Sequence, residues 1–410
     1  MYIKRKLEAK IFKYLDSPEI IAVVGPRQCG KSTMLMKIFE GLENTAMVSF
    51  EDRTALTLFD RNIDDFVDVY VKNKKFLFID EFQYAKNGGK KLKYIFDTKK
   101  VKIFISGSSA IDMTVNALKY LTGRIFIFQL FPFDFEEFLS CKESGYGNIL
   151  KKKNAEFLAL ARPASGSEEA DDVLKRQYEE YALFGGYPRV VLAQDEEEKK
   201  EVLKNIYNTY FLREVRDILG LIDDYKLEKL IRSLALQIGN LIEYDELGKI
   251  SEFSYPTLKK YLNFLEKTFI CGLVKPFFRN KRIEIVKNPK VYFFDSGLRN
   301  VIVNDFRKFE SRGDAGQLLE NAVFMQLGKG GYAFNYWRDK KKNEVDFILK
   351  LENQKILAVE IKSSLKNFGG ASILSFQKVY PEIEVVFACL KLKAKEDDGM
   401  DAKAYPVYAI

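Results

Sequence analysis

Two groups of residues in this sequence are spaced to do chemistry. The first is Gly25-Pro26-Arg27-Gln28-Cys29-Gly30-Lys31-Ser32, a GxxxxGK[ST] run between an apolar segment, Ile20–Val24, and a helical pattern. Glycines there let successive backbone N–H groups close around phosphate oxygens. The start of a helix adds partial positive charge. Lys31 is expected to reach the β and γ phosphates of a nucleotide, and Ser32 to hold Mg²⁺ through its hydroxyl. A second motif, Phe76-Leu77-Phe78-Ile79-Asp80-Glu81, reads as a buried strand ending in two carboxylates. Ligands of open α/β sheets sit at that end of a strand. Asp80 is expected to hold the magnesium through water, and Glu81 to polarise an attacking water. A third strand, Val101–Ile105, runs into Ser106-Gly107-Ser108-Ser109. Two readings of Ser106 are open: a γ-phosphate sensor between the two motifs, or part of a Ser/Gly turn that caps the next helix.

The second group is Glu320, Asp346, Glu360 and Lys362. Glu360 and Lys362 are two apart on a strand, so they share a face; Asp346 lies on the paired strand. The flanking residues (Val345, Phe347, Ile348; Leu357, Ala358, Val359, Ile361) imply strands buried on both sides, where carboxylates are costly without partners. One reading is a phosphodiesterase site in which Asp346 and Glu360 hold Mg²⁺, Glu320 supports them and Lys362 orients water and steadies developing charge. The alternatives are a degenerate fold kept as a docking module, or an Asp346–Lys362–Glu360 ion cluster that satisfies only itself.

These residues need elements to hold them. Residues 1–143 alternate strand-like runs (Ile20–Val24, Ala46–Phe50, Phe76–Ile79, Val101–Ser106, Ile125–Gln129) with helical patterns, as in a parallel sheet covered on both faces. Residues 151–172 read as a polar loop or insertion, and 173–218 as helical with a break at Gly185–Pro188. Helices are expected at Lys226–Ile238, from Tyr244 to Leu247 and at Pro256–Thr268, the last capped by Ser254, with a β wing over Leu273–Ile285. From 316 to 390 the order is α-β-β-β-α-β: Gly316–Leu327, Tyr332–Trp337, Glu344–Leu351, Ile356–Lys362, Ala371–Val379, Ile383–Leu390. The division read from this pattern is 1–195, 196–300 and 301–410.

Composition narrows the chemistry. There is no histidine, which removes Ser/His/Asp and Cys/His mechanisms and His-ligated metals. The four cysteines, Cys29, Cys141, Cys271 and Cys389, form no CxxC pair, against a zinc site or a disulfide framework. The net charge of +8, from 66 basic against 58 acidic residues, is compatible with a polyanionic partner but does not demand one. The charged, amphipathic N-terminus and the lack of a long apolar run predict a cytoplasmic chain.

The chain resembles AAA+ ATPases of the AAA_14 type in GPRQCGKST (25–33), FIDEFQ (78–83), ISGSSA (105–110), LTGRIFIFQLFPFDFEEFL (121–139) and LFGGYPRVV (183–191). The resemblance extends the nucleotide contacts to Thr33. It makes Ser106 the sensor 1 residue and Arg124 an arginine-finger candidate, with a structural ion pair as the alternative. It also places Gly186 and Pro188 against adenine in a helical lid, with Arg189 as a sensor 2 candidate. Residues 226–299 resemble a winged helix-turn-helix, with Lys259 and Lys260 on the third helix and Arg279, Lys281 and Arg282 at the wing tip. That module implies either DNA contact or interdomain packing. Residues 316–390 resemble the PD-(D/E)xK nuclease superfamily, and 200–390 resemble domain of unknown function 4143 in FLREV, KVYFFDSGL, LLENAVF, EVDFIL and VEIKSS. The resemblance implies an α/β chain: a P-loop parallel-sheet core with a helical lid, a winged helix, then a nuclease-like α/β domain. Expected cofactors are ATP and Mg²⁺, and expected partners are nucleic acid and further copies of the chain, with no membrane.

Overall fold

A computed structural model of the chain describes residues 2–108, 119–161, 167–211, 224–351, 354–364, 370–391 and 403–410. Ser109 and Ala110 of the ISGSSA match, residues 212–215 of FLREV and the end of the predicted helical stretch at 212–218 lie outside them. Packing divides the chain into two compact units, residues 1–132 with 263–270, and residues 133–262 with 271–410.

The first unit is built on a parallel sheet of β1 (Ile20–Gly25), β2 (Thr45–Ser49), β3 (Phe76–Asp80), β4 (Lys102–Ser108) and β5 (Ile125–Gln129), in the order β2-β3-β4-β1-β5. The expected strand runs all appear, within two residues at each end. Helices α1 (Lys6–Lys13), α2 (Lys31–Glu40), α3 (Arg53–Arg61), α4 (Ile63–Tyr70) and α5 (Gly88–Thr98) surround it. The unbroken apolar run of β1 reflects burial on both faces. Ile20, Ala22 and Val24 join a core with Phe50, Phe59 and Phe66, while Ile21 and Val23 join Met34, Leu35, Ile38 and Phe39 of α2. β1 lies between β4 and β5, so its C-terminal end opens where the chain changes direction across the sheet, the usual place for a ligand in such folds.

The second unit begins with α6 (Phe135–Lys142), α7 (Gly147–Leu158), α8 (Glu168–Phe184), α9 (Pro188–Val191) and α10 (Glu196–Asn205). Within 151–172, expected as a loop or insertion, residues 151–158 and 168–172 are helix. Leu150, Lys153 and Phe157 of α7 are buried at helical spacing, a face that the polar composition conceals. Then come α11 (Asp224–Leu236), α12 (Tyr244–Ser251) and α13 (Tyr255–Lys267), β6 (Cys271–Val274), α14 (Lys281–Val286) and β7 (Lys290–Phe293). The three expected helices are present. Residues 273–285, expected as the wing, run from the end of β6 into the short helix α14, which the Asn280 side chain begins by accepting from the Arg282 N–H; β6 pairs antiparallel with β7.

After α15 (Ser296–Val303) and α16 (Ala315–Gly330), a five-stranded sheet follows: β8 (Ala333–Arg338), β9 (Glu344–Lys350), β10 (Ile356–Ser364), β11 (Glu384–Lys391) and β12 (Lys403–Pro406), with α17 (Ala371–Val379) between β10 and β11. Its order is β12-β11-β10-β9-β8. β8, β9 and β10 pair antiparallel, and β10, β11 and β12 parallel. The predicted α-β-β-β-α-β order holds, with β12 as an added edge strand. α16 packs on β10 and α17 on β9, so Glu360 is buried and Asp346 half-buried. Among the described residues no helix is long and apolar enough to cross a membrane.

Candidate nucleotide and carboxylate sites

The loop from Gly25 to Gly30 is shaped by backbone rather than by side chains. A Cβ on Gly25 would stand 2.0 Å from the Leu130 carbonyl oxygen, so only glycine lets β1 turn there. Gln28 (φ 59°) and Gly30 (φ 94°) are left-handed, and α2 starts at the next residue. Such a sequence of conformations turns backbone N–H groups into one concave nest. The back of the loop is braced: Arg5 donates to Cys29 O (2.7 Å) and Phe131 O (2.6 Å), and Cys29 Sγ donates to Leu130 O (3.2 Å). Lys31 is buried, with Nζ on Gly25 O (3.0 Å) and Pro26 O (2.9 Å), so its ammonium is held over the loop. Ser32 and Thr33 follow in the first turn of α2.

β3 and β4 are neighbours, and the Ser106 hydroxyl donates to Asp80 Oδ1. Ser106 is thus tied to the carboxylate at the end of β3 and lies inside β4 rather than in a turn beyond it. Glu81, with left-handed backbone (φ 54°), accepts from Gln83 Nε2, and Gln83 Oε1 is buried without a partner. Burial raises the Glu81 carboxyl above its ordinary value and Asp80 adds to this, against the Gln83 hydrogen bond, Lys31 and Arg27. A base kept partly desolvated and held by a neutral amide is the arrangement a water-activating carboxylate needs. Arg124 pairs with Asp97 of α5 (3.0 Å), both about one-third exposed, and its guanidinium lies over Phe96. In this chain Arg124 therefore has an intramolecular partner.

Gly186 and Pro188 lie in the second unit. Gly186 donates its N–H to Asp295 Oδ2 (2.8 Å) and accepts from the Phe133 N–H (2.7 Å); Pro188 opens α9. Asp295 also caps α15 by accepting from Leu298 N–H (3.0 Å). These contacts account for the GGYP segment within its own unit.

The carboxylate site forms where β9 and β10 part. Their last ladder pair is Val359 with Phe347, and the next residues along are Glu360 and Asp346. The Ile361 N–H is taken by Asp346 Oδ2 at 2.8 Å. Lys362 Nζ is 2.7 Å from Glu360 Oε1, while Glu360 Oε2 is buried with no hydrogen-bond partner. Burial, followed by Glu320 and Glu360, raises the Asp346 carboxyl well above the ordinary range. Burial also raises Glu360, with Glu320 adding to it and Lys362 opposing. Lys362 pairs with Glu360 and the Lys290 charge opposes the rise at Asp346, while burial and neighbouring acids work against both ionised carboxyls; a divalent cation held there would add the positive charge that favours them. Among the described residues no group of three or more Asp, Glu, Cys or His is placed to hold a metal, so the protein would supply two carboxylates and water the rest.

Glu320 is engaged elsewhere. Its Oε1 accepts from Lys290 Nζ (2.9 Å) and Tyr292 OH (2.6 Å), both from β7, and Lys290 also meets Glu344 (2.5 Å). Burial opposes the Lys290 charge, but Glu320, Tyr292, Asp346 and Glu344 outweigh it and raise the ammonium well above its ordinary value. Lys290, Tyr292, Glu344, Gln83 and Arg5 are the residues that the sequence reading did not single out. A lysine opening the apolar strand KVYF was the signal available for Lys290. Three of the five candidate nucleic-acid cations have partners within the chain: Lys259 lies over Tyr244 and Tyr255, Arg279 meets Glu382 (2.6 Å) and Lys281 meets Glu284 (2.7 Å).

Residues 17–139 match the AAA domain family, 175–308 a domain of unknown function (DUF8612), and 315–408 a domain of unknown function (DUF4143). An uncharacterized protein of Methanocaldococcus jannaschii is 26% identical over 97% of this chain and 86% of its own length. One from Haemophilus influenzae is 25% identical over 86% of this chain and 84% of its own. Among solved structures, a Walker-type ATPase of Pyrococcus abyssi is similar at 16% identity and a TM-score of 0.41, covering 73% of this chain and 96% of that one.

Proposed function

We propose that this chain is a Mg²⁺-dependent ATP hydrolase coupled to a metal-dependent, DNA-directed phosphodiesterase site, organised as 1–195, 196–300 and 301–410. The observation that carries the ATPase is the meeting of a P-loop with Asp80, Ser106 and Glu81 at one end of one parallel sheet, within a segment matching the AAA domain family. The residues from Gly25 to Thr33 wrap the phosphates, and Lys31 turns from its loop carbonyls toward the β and γ oxygens. Ser32, and Asp80 through water, would hold Mg²⁺, which would neutralise developing phosphate charge. Glu81, released from Gln83, orients the attacking water and takes its proton. Arg124 is the arginine-finger candidate and requires a second copy of the chain.

The phosphodiesterase reading rests on the unpartnered Glu360 oxygen beside Asp346. There Asp346 and Glu360 would hold a divalent cation that polarises a phosphodiester, and Lys362 would align water and balance developing charge. A second reading, an ATP-driven switch whose nuclease-like part only binds nucleic acid or a protein, is favoured by the pairing of Glu320 with Lys290.

ATP turnover and DNA cleavage measured together separate the two, on wild type and on Asp346→Ala with Glu360→Ala, in Mg²⁺ and Mn²⁺. Cleavage lost in the double variant with ATPase retained supports the coupled enzyme. ATPase without cleavage of single-stranded, duplex or branched DNA by wild type rejects it for the switch.

A further inference from the structure

Lys290 opens β7 with 1% of its side chain exposed, and neither proposed reaction uses it. Its ammonium bridges Glu320 Oε1 (2.9 Å) and Glu344 Oε1 (2.5 Å). Tyr292, two residues on and so on the same face of β7, donates to the same Glu320 oxygen at 2.6 Å. Arg338 takes the other oxygen of Glu344 at 3.2 Å. Glu320 and Glu344 thus carry cations of their own. Asp346 and Glu360 are balanced less fully: Asp346 accepts a backbone N–H, and Glu360 meets Lys362 through Oε1 (2.7 Å) while its Oε2 is buried without a partner.

We infer that Lys290 is a built-in counter-ion that, with Tyr292, withdraws Glu320 and Glu344 from metal ligation and leaves Asp346 and Glu360 as the carboxylate pair for a single divalent cation. To ligate, Glu320 would have to give up a charge-assisted bond in a buried setting, and a second divalent ion beside the ammonium would meet like charge. Lys290 and Tyr292 lie in the segment matched as 175–308 and the four acids in 315–408, so the one matched segment completes the other's site. Lys290 is here a positioning residue. The inference rests on the metal reading of the preceding subsection.

The test is Mn²⁺ uptake by the full chain without nucleotide, in a Ser32→Ala background so that the P-loop contributes no metal, followed by electron paramagnetic resonance. The expected stoichiometry is one, with Asp346→Asn or Glu360→Gln weakening uptake about tenfold or more and Glu320→Gln changing it less than about threefold. Lys290→Met removes the cation from Glu320 and from one oxygen of Glu344 and is expected to take up a second equivalent, with Lys290→Arg returning to one. If Lys290→Met does not fold, Lys290→Met with Glu320→Gln restores much of the charge balance and is expected to keep one equivalent. Two equivalents on wild type, one on folded Lys290→Met, or a loss in Glu320→Gln as large as in Glu360→Gln overturns the inference and leaves the metal reading standing. No uptake by wild type overturns both.

Discussion

In the first unit, Gly25 to Ser32 are consecutive, and the phosphate cradle is made of their own backbone; Asp80 and Ser106 join from adjacent strands. In the second unit, the charged cluster draws Lys290 from β7, Glu320 from α16, Glu344 and Asp346 from β9, and Glu360 and Lys362 from β10. One site is local geometry with a few side chains added; the other is a balance of buried charges reached only on folding. The first should lose function with little loss of stability when a side chain is changed, and the second should lose both together.

The largest effect expected is on stability. Lys290→Met leaves Glu320 and Glu344 without their shared cation, and breaking a buried pair in this way costs about 3–5 kcal/mol. Thermal unfolding should show a lowered midpoint for the second unit; a wild-type midpoint would mean that the cluster is better solvated than its burial implies. Lys31→Ala should act on the other side of the comparison. Removing a charge aimed at the phosphates is expected to lower ATP turnover by about 10²–10³-fold with unfolding unchanged, and phosphate-release kinetics that retain turnover would refute the nucleotide assignment. Tyr292→Phe deletes one hydrogen bond to Glu320 and is expected to cost about 1–3 kcal/mol in denaturant unfolding, with ATPase rate untouched. The smallest effect is predicted for Arg124→Ala. Its pair with Asp97 lies at the surface, where such pairs stabilise little, so a tenfold fall in turnover, growing with protein concentration, would mark a finger acting on another copy.

The two sites were not equally legible. The P-loop, Asp80 and Glu81 could be read directly, because strand, glycine loop and helix start are neighbours in sequence and the chemistry follows from their order. The positions of Asp346, Glu360 and Lys362 were also legible, through period-two burial on two predicted strands. Glu320 was legible as an acid near the site, but its occupation by Lys290 and Tyr292 was not, since nothing in strand periodicity says which distant strand covers α16. Helix α7 was missed because Lys151 to Lys153 mask a buried face that only its neighbours reveal. Over 273–285, expected as a wing, the short helix α14 forms where the Asn280 side chain caps its first turn.

By itself, then, the sequence determined the parallel sheet, the phosphate loop and the order of strands around the paired carboxylates, because each depends on residues close together in the chain and on burial periodicity. Tertiary structure alone decided which distant charges meet: Lys290 with Glu320 and Glu344, and Arg124 with Asp97. Coulomb energies depend on distances between side chains that folding brings together and on the water it excludes, and neither quantity is written in the spacing of residues along the chain.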